Sequence, residues 1–440
     1  MISFPGISST VKNYNSSENA FLPRIVTVPL VQEKKVRCVP VVQEGEIVSE
    51  GQIIAVPEPQ DAGAKIHSPI PGTVVGIDTT RCPNGKPEIA IKIKLHGRFS
   101  YLGKKNPVTD WKSLSPYAIV QKILDKGVVN TFHVNNTESL ANQIDAIGKK
   151  KNKTLIVRMY DEDPIRITDS LVTKFNISEI KTGAYITSRA MQADAVLYVF
   201  SDDMKKKDEL EKFFELGKNE KIMFMNTKKY PSGFQNEICA SYKKIFKKNM
   251  DFRISKSDLF VDSSTMFEVC QAVENDLPVI NKFVHFSGNC LAASCLLNVK
   301  IGTLLKDIVF QLGGFSKEPS MIIINGHLTG YSVQSLNVPI TKYVKSVVFV
   351  SKKKSPDQLM NVCISCGNCR SICSRNLSPD LLYLYKTENK KLDPEYIQTA
   401  QYCVECGLCN SVCPARIPLA QIIASMKSPE EYATDEEDEE

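Results

Sequence analysis

Eight of the chain's fourteen cysteines fall between residues 363 and 413, in two runs of one spacing, and nothing else in the sequence constrains it as tightly. The first run is Cys363-Ile364-Ser365-Cys366-Gly367-Asn368-Cys369-Arg370-Ser371-Ile372-Cys373. The second is Cys403-Val404-Glu405-Cys406-Gly407-Leu408-Cys409-Asn410-Ser411-Val412-Cys413-Pro414, so both obey CxxCxxCxxxC. The remaining six, Cys38, Cys82, Cys239, Cys270, Cys290 and Cys295, are dispersed and read as buried small hydrophobes. In a reducing compartment clustered thiols are metal ligands rather than disulfides. Structural zinc asks for only four ligands, usually two CxxC pairs, and two complete four-cysteine runs exceed that demand.

The spacing resembles that of bacterial ferredoxins, in which three closely spaced thiolates hold one cluster and the fourth reaches across to its neighbour. The resemblance implies two 4Fe-4S clusters, one on Cys363, Cys366, Cys369 and Cys413 and the other on Cys403, Cys406, Cys409 and Cys373. Gly367 and Gly407 let the backbone pass close to a cluster. Ser374 stands where that motif usually has proline. The 29 residues between Cys373 and Cys403 exceed what a small ferredoxin uses, which favours a helical two-cluster domain within a larger protein.

At 440 residues the chain is too long for one core and divides into several domains. No apolar run reaches the roughly 18 residues of a spanning helix, and no secretory signal opens the chain, so a cytoplasmic protein held at a membrane only through partners is expected. The net charge of +6 hides a tail, 430–440, with eight acidic and no basic groups, leaving a body of +14. Its lysines are scattered without a nucleic-acid motif, which argues for a solvated surface and against nucleic acid as a partner.

Residues 27–95 read as short strands broken by turns, among them 39–42, 47–48, 53–56 and 68–75, with Ile89, Ile91, Ile93 and Leu95 alternating on one face. This resembles a biotinyl/lipoyl barrel-sandwich, whose carrier lysine has Lys65 as its only nearby candidate here; the flanking residues match no carrier motif, so the module reads as structural. From 106 to 230 helix and strand alternate. Ser115 caps a helix with Pro116 at its first position and Gly127 as its stop, strands follow at 155–157, 195–200 and 222–225, and a helix is expected over 203–216. That order implies a parallel α/β sheet. From about 235 to 350 the pattern reads as strand-rich, with 279–286, 321–324 and 346–350, and 356–428 reads as helical, with starts at Ser378-Pro379 and Asp393-Pro394.

Together these features resemble RnfC, the iron-sulfur component of the Rnf-type ion-translocating electron transport complex. The likeness is carried by Pro29-Leu30, Glu44-Gly45 to Ile54, Tyr230-Pro231-Ser232-Gly233, Thr265 and Ala272 to Gly288, Ile301-Gly302-Thr303, Gly313-Gly314, Gly326 to Gly330, Val338 to Lys342 and the two cysteine runs. It implies a multidomain α/β protein: a barrel-sandwich region over 1–105, a Rossmann-like parallel α/β domain similar to the flavoprotein of respiratory complex I over 106–235, a soluble-ligand-binding β-grasp module over 236–352, a helical two-cluster ferredoxin domain over 353–428 and an acidic disordered tail over 429–440. In the family the α/β domain binds FMN and NADH through a glycine-rich loop, whose glycines let backbone amides approach phosphate. The corresponding stretch here, Val128-Val129-Asn130-Thr131-Phe132-His133-Val134-Asn135, has no glycine, and Arg158-Met159-Tyr160-Asp161-Glu162-Asp163-Pro164 keeps only acidity and a proline of the facing segment. Asp161, Asp163 and Asp169 read as remnants of a flavin site and His133 as an incidental surface residue, so FMN and NADH are not expected.

The leading expectation is an iron-sulfur protein that passes electrons between a protein carrier, ferredoxin or flavodoxin, and the membrane partners of an Rnf-like complex on the cytoplasmic side. Its alternatives are an NADH-oxidising component with FMN and a scaffold whose clusters only hold its shape.

Overall fold

The computed structural model describes residues 2–3, 11, 14–33, 36–58, 62–96, 107–148, 150–204, 216–246, 253–352, 359–388 and 391–427. The helix expected over 203–216 and the acidic tail lie largely outside them. The chain forms two compact units, Ile2–Lys354 and Ser355–Glu440, Met1 being grouped with the second.

The larger unit opens with two small antiparallel sheets. One orders Ile25–Pro29, Pro87–Leu95, Gly72–Arg81 and Ile47–Val48; the other orders Cys38–Pro40, Ile53–Pro57 and Ile66–His67. Val26, Val28, Val48, Ile54, Ile66, Val74, Ile91 and Ile93 form their shared core. Ile89 falls outside the expected inward face and is 53% exposed, Ala90 and Ile91 being the buried pair instead. Gly72 is required at its crossing, where a Cβ would stand 2.2 Å from the carbonyl oxygen of Lys94.

A four-stranded parallel sheet follows, in the order Glu220–Met225, Ala195–Ser201, Thr154–Arg158 and Leu259–Asp262. Thr154–Arg158 and Ala195–Ser201 are buried throughout, as strands covered on both faces must be. Leu155, Val157, Tyr198 and Val261 pack toward the helices Ile177–Met191 and Ser263–Val273, while Ile156, Leu197, Val199 and Phe260 join Ile238 and Tyr242 of the helix Gln235–Ile245. The first two helices meet at Gly183, where a Cβ would stand 1.9 Å from the carbonyl oxygen of Met266. Ser115 accepts the N–H of Ala118 to cap the helix Pro116–Asp125, and Gly127 follows it at φ +73°. The strand-rich reading from 235 needs correction. Helices Gln235–Ile245 and Ser263–Val273 lie there, and between them Leu259–Asp262 supplies an edge to the parallel sheet. Its hydrophobic run is short and its pairing partner lies far upstream, so local pattern carries no sign of it.

Beyond that point a six-stranded mixed sheet runs in the order Glu18–Asn19, Cys295–Lys300, Asn281–Gly288, Ser346–Ser351, Pro319–Ile324 and Tyr331–Val333, with the helix Leu305–Gln311 packed into its own core.

The smaller unit is helical. Its helices are Pro379–Glu388, Pro394–Gln398 and Leu419–Ser425, with two five-residue helices, Asn368–Ile372 and Leu408–Val412, that begin inside the cysteine runs.

Candidate metal centre

Each cysteine run starts as an extended loop and ends in a single turn of helix. Gly367 and Gly407, at φ +76° and +71°, sit at the point of entry, a conformation that carries no Cβ penalty only for glycine. The loop before each glycine bends at a residue of positive φ, Ser365 or Glu405. These bends curl three thiols around a hollow rather than stringing them along a line.

The fourth thiol of each hollow comes from the other run. Cys363, Cys366, Cys369 and Cys413 line one hollow with Ile364, Gly367, Asp380, Ala415, Ile417 and Leu419. Cys373, Cys403, Cys406 and Cys409 line a second with Ser374, Arg375, Leu377, Pro379 and Ala420. The N–H groups of Leu377 and Glu405 donate to the sulfurs of Cys373 and Cys403, each at 3.4 Å. Among the described residues no three histidine, cysteine or acidic side chains converge as they would on a single metal ion. The thiols ring a void, which fits a polynuclear cluster better than zinc. Burial pushes the thiols of Cys369 and Cys406 up to about 11 and raises those of Cys403 and Cys409 as well. Thiolates are stable in such surroundings only beside cations, and the irons of a cluster supply them.

Asp380 was not singled out by sequence reasoning. It opens the helix after Cys373, is buried against the first cavity and is held in a two-pronged pair by Arg370. A comparison of the two runs at constant offset would have found it, since its counterpart is Ala420.

The carboxyl ends of Thr154–Arg158 and Leu259–Asp262, where the strand order reverses, are the usual ligand crevice of such a sheet. Here the chain fills it. Arg158 is fully buried and donates to the carbonyls of Phe132 (2.8 Å), Gly233 (2.6 Å) and Tyr160 (3.0 Å), with its guanidinium 4.1 Å from the centre of the Phe132 ring. Lys345 donates to Asp169 at 2.8 Å and Asp262 at 2.6 Å, all three without exposed side-chain surface. Burial works to raise Asp262, but Lys345 beside it holds its carboxyl well below the usual range. Asp161 pairs with Arg166, and Asp163 accepts the N–H groups of Leu328 and Thr329. The three aspartates read as flavin-site remnants are thus bound into the fold's own polar network.

His133 is not incidental. Its Nδ1 lies 2.5 Å from the buried Glu162 carboxylate and its ring stacks on Phe234. Lys65, the carrier-lysine candidate, pairs with Asp125 at 2.6 Å. Of the dispersed cysteines, five are buried as expected and Cys295 is half-buried.

Two family models match the chain: the RnfC barrel sandwich hybrid domain over residues 8–98 and the 4Fe-4S dicluster domain over 362–417. Among curated relatives, a component of the proton-translocating ferredoxin:NAD(+) oxidoreductase complex of Clostridium ljungdahlii is 27% identical over 83% of this chain and 79% of its own length. A component of the ion-translocating oxidoreductase complex of Rhodobacter capsulatus is 26% identical over 81% of this chain and 69% of its own. The Haemophilus influenzae protein of the same name is 26% identical over 81% and 54%. A match to the RnfC barrel-sandwich domain at one end, a match to the 4Fe-4S dicluster domain at the other and 26–27% identity over most of the length are what this chain shares with those components of ion-translocating oxidoreductase complexes.

Proposed function

We propose that the chain is the electron-relaying RnfC component of an Rnf-like ion-translocating oxidoreductase complex, with one 4Fe-4S cluster on Cys363, Cys366, Cys369 and Cys413 and another on Cys403, Cys406, Cys409 and Cys373. The observation that carries this is the exchange of fourth thiols between two four-thiol cavities. When bound, the clusters take up and release single electrons; the chain's residues fix the thiols, exclude water and set the surrounding charge. Ferredoxin, named for the Clostridium ljungdahlii relative, or flavodoxin is the protein carrier, and membrane proteins of the complex are the other partners. No helix among the described residues is long and apolar enough to cross a membrane, and the proposed place is peripheral, on the cytoplasmic face, through those partners.

In this reading the parallel α/β layer, which runs past the expected boundary at 235 through Leu259–Asp262 and Ser263–Val273, descends from a flavoprotein-like module and the mixed sheet after it from a β-grasp module, and the first has given up FMN and NADH. The Arg158 and Lys345 networks support this, since they occupy the crevice a nucleotide would need. The deciding measurement is metal, sulfide and flavin content of anaerobically purified protein. About eight irons and eight sulfides per chain with no flavin are expected. Zinc alone, or fewer than about six irons, defeats the reading.

A further inference from the structure

The two halves of the cluster unit repeat one backbone at a fixed offset. Positive φ recurs forty residues apart at Ser365 and Glu405 (52° and 55°), Gly367 and Gly407 (76° and 71°), and Asn376 and Arg416 (55° and 56°). The same offset carries Cys373 onto Cys413, Leu377 onto Ile417 and Pro379 onto Leu419, and each of these lines the cavity of the opposite run. With the frame held constant, differences between the cavities reduce to a few side chains.

One of them is a charge. The offset carries Asp380, at the wall of the Cys363, Cys366, Cys369 and Cys413 cavity, onto Ala420, at the wall of the other. Arg370 grips both Asp380 oxygens, its Nε at 2.7 and 3.0 Å and its Nη2 at 2.6 Å, which keeps the carboxyl ionised. The arginine side chain is 46% exposed against 3% for the aspartate, so water screens the guanidinium far more than the carboxylate. At another matched position Arg375 lines the second cavity where Ala415 lines the first, a difference of the same sense. Negative charge beside a cluster opposes the arrival of an electron and lowers its potential.

We propose that Asp380 makes the cluster on Cys363, Cys366, Cys369 and Cys413 the lower-potential member of the pair, and so the donor within the chain. The inference rests on the two-cluster reading above. One electron leaves that cluster, which is oxidised, and one arrives at the cluster on Cys373, Cys403, Cys406 and Cys409, which is reduced; no bond breaks and no proton moves. A reduced one-electron protein carrier supplies the first. The donor's wall is also the open one, since Cys366 is exposed and Ile364 is 70% exposed beside it.

The test is a redox titration of the full chain, purified anaerobically and followed by EPR, with iron content measured alongside. Two midpoints are expected. Asp380→Asn raises the lower one by at least about tenfold in its reduction equilibrium, 59 mV for one electron, and leaves the higher in place. Ala420→Asp, which leaves the Asp380–Arg370 pair intact, lowers the higher midpoint by a similar amount and keeps the proposal open to refutation if Asp380→Asn fails to assemble. Movement of the higher midpoint by Asp380→Asn, or no movement by either variant at full iron content, overturns the assignment. A chain with fewer than about six irons overturns the two-cluster reading itself.

Discussion

The cluster unit and the strand ends of the parallel sheet solve opposite problems. The hollows of the cluster unit are lined by thiols, of which burial raises Cys369, Cys403, Cys406 and Cys409, and whose natural counter-charge is metal. The crevice at the ends of the parallel strands is lined by charges too, yet each has its partner within the chain: Lys345 with Asp169 and Asp262, Arg166 with Asp161, His133 with Glu162. A site made to receive a group leaves its strongest groups waiting, and one that has closed turns them on each other. The strands and helices stay the same, because the core faces below do not depend on what lies at the strand ends.

The contrast is broken most forcefully at the thiols. Cys373→Ala is expected to remove the cluster held with Cys403, Cys406 and Cys409, taking iron from about eight to about four per chain and sparing one EPR signal. Loss of the other signal alone would show that the fourth thiols are not exchanged. At the closed crevice, Lys345→Met strands two buried carboxylates and should cost about 3–5 kcal/mol in urea unfolding of the larger unit while iron content holds. A cost below about 1 kcal/mol would mean the network is not what keeps the crevice shut.

Closure also predicts a functional silence. Micromolar NADH should leave the visible absorbance of the cluster-loaded chain unbleached where dithionite bleaches it. Fast bleaching that saturates with NADH would reopen the crevice to a nucleotide.

The smallest effect lies at the edge of the same region. Burial pushes Lys342, whose Nζ donates to the carbonyls of Gly127 and Lys65, down to about 8 from 10.5. Between those values the unfolded chain holds the proton more often than the folded one, so stability rises as pH rises through about 8. Lys342→Met should flatten that rise in the unfolding midpoint, and an unchanged slope would assign it to other groups.

Much of this was open to reading in the chain itself. Ser115, Pro116 and Gly127 bound their helix as capping chemistry requires, and the strands at 154–158, 195–201 and 220–225 follow from short apolar runs. The cysteine spacing pointed to both cavities. What escaped was non-local. Leu259–Asp262 joins the sheet through partners a hundred residues upstream. His133 gains its role from Glu162 and Phe234, and the aspartates theirs from Arg166, Lys345 and the 328–329 backbone, none of which a window of sequence can bring together.

The pairing of Glu18–Asn19 with Leu297–Asn298, 279 residues apart where Asn298 donates to Asn19, bears on how the larger unit is made. During synthesis Glu18–Asn19 has no strand to join until residue 298 has left the ribosome, and the parallel layer lacks one of its edges until residue 262 has done so. Contacts of such long range are slow to form, because the entropy of closing the loop is lost before the contact energy is gained. The cysteine runs emerge later still, within a compact unit of their own, so loading of that unit with metal and completion of the larger one are separate events in the life of the nascent chain.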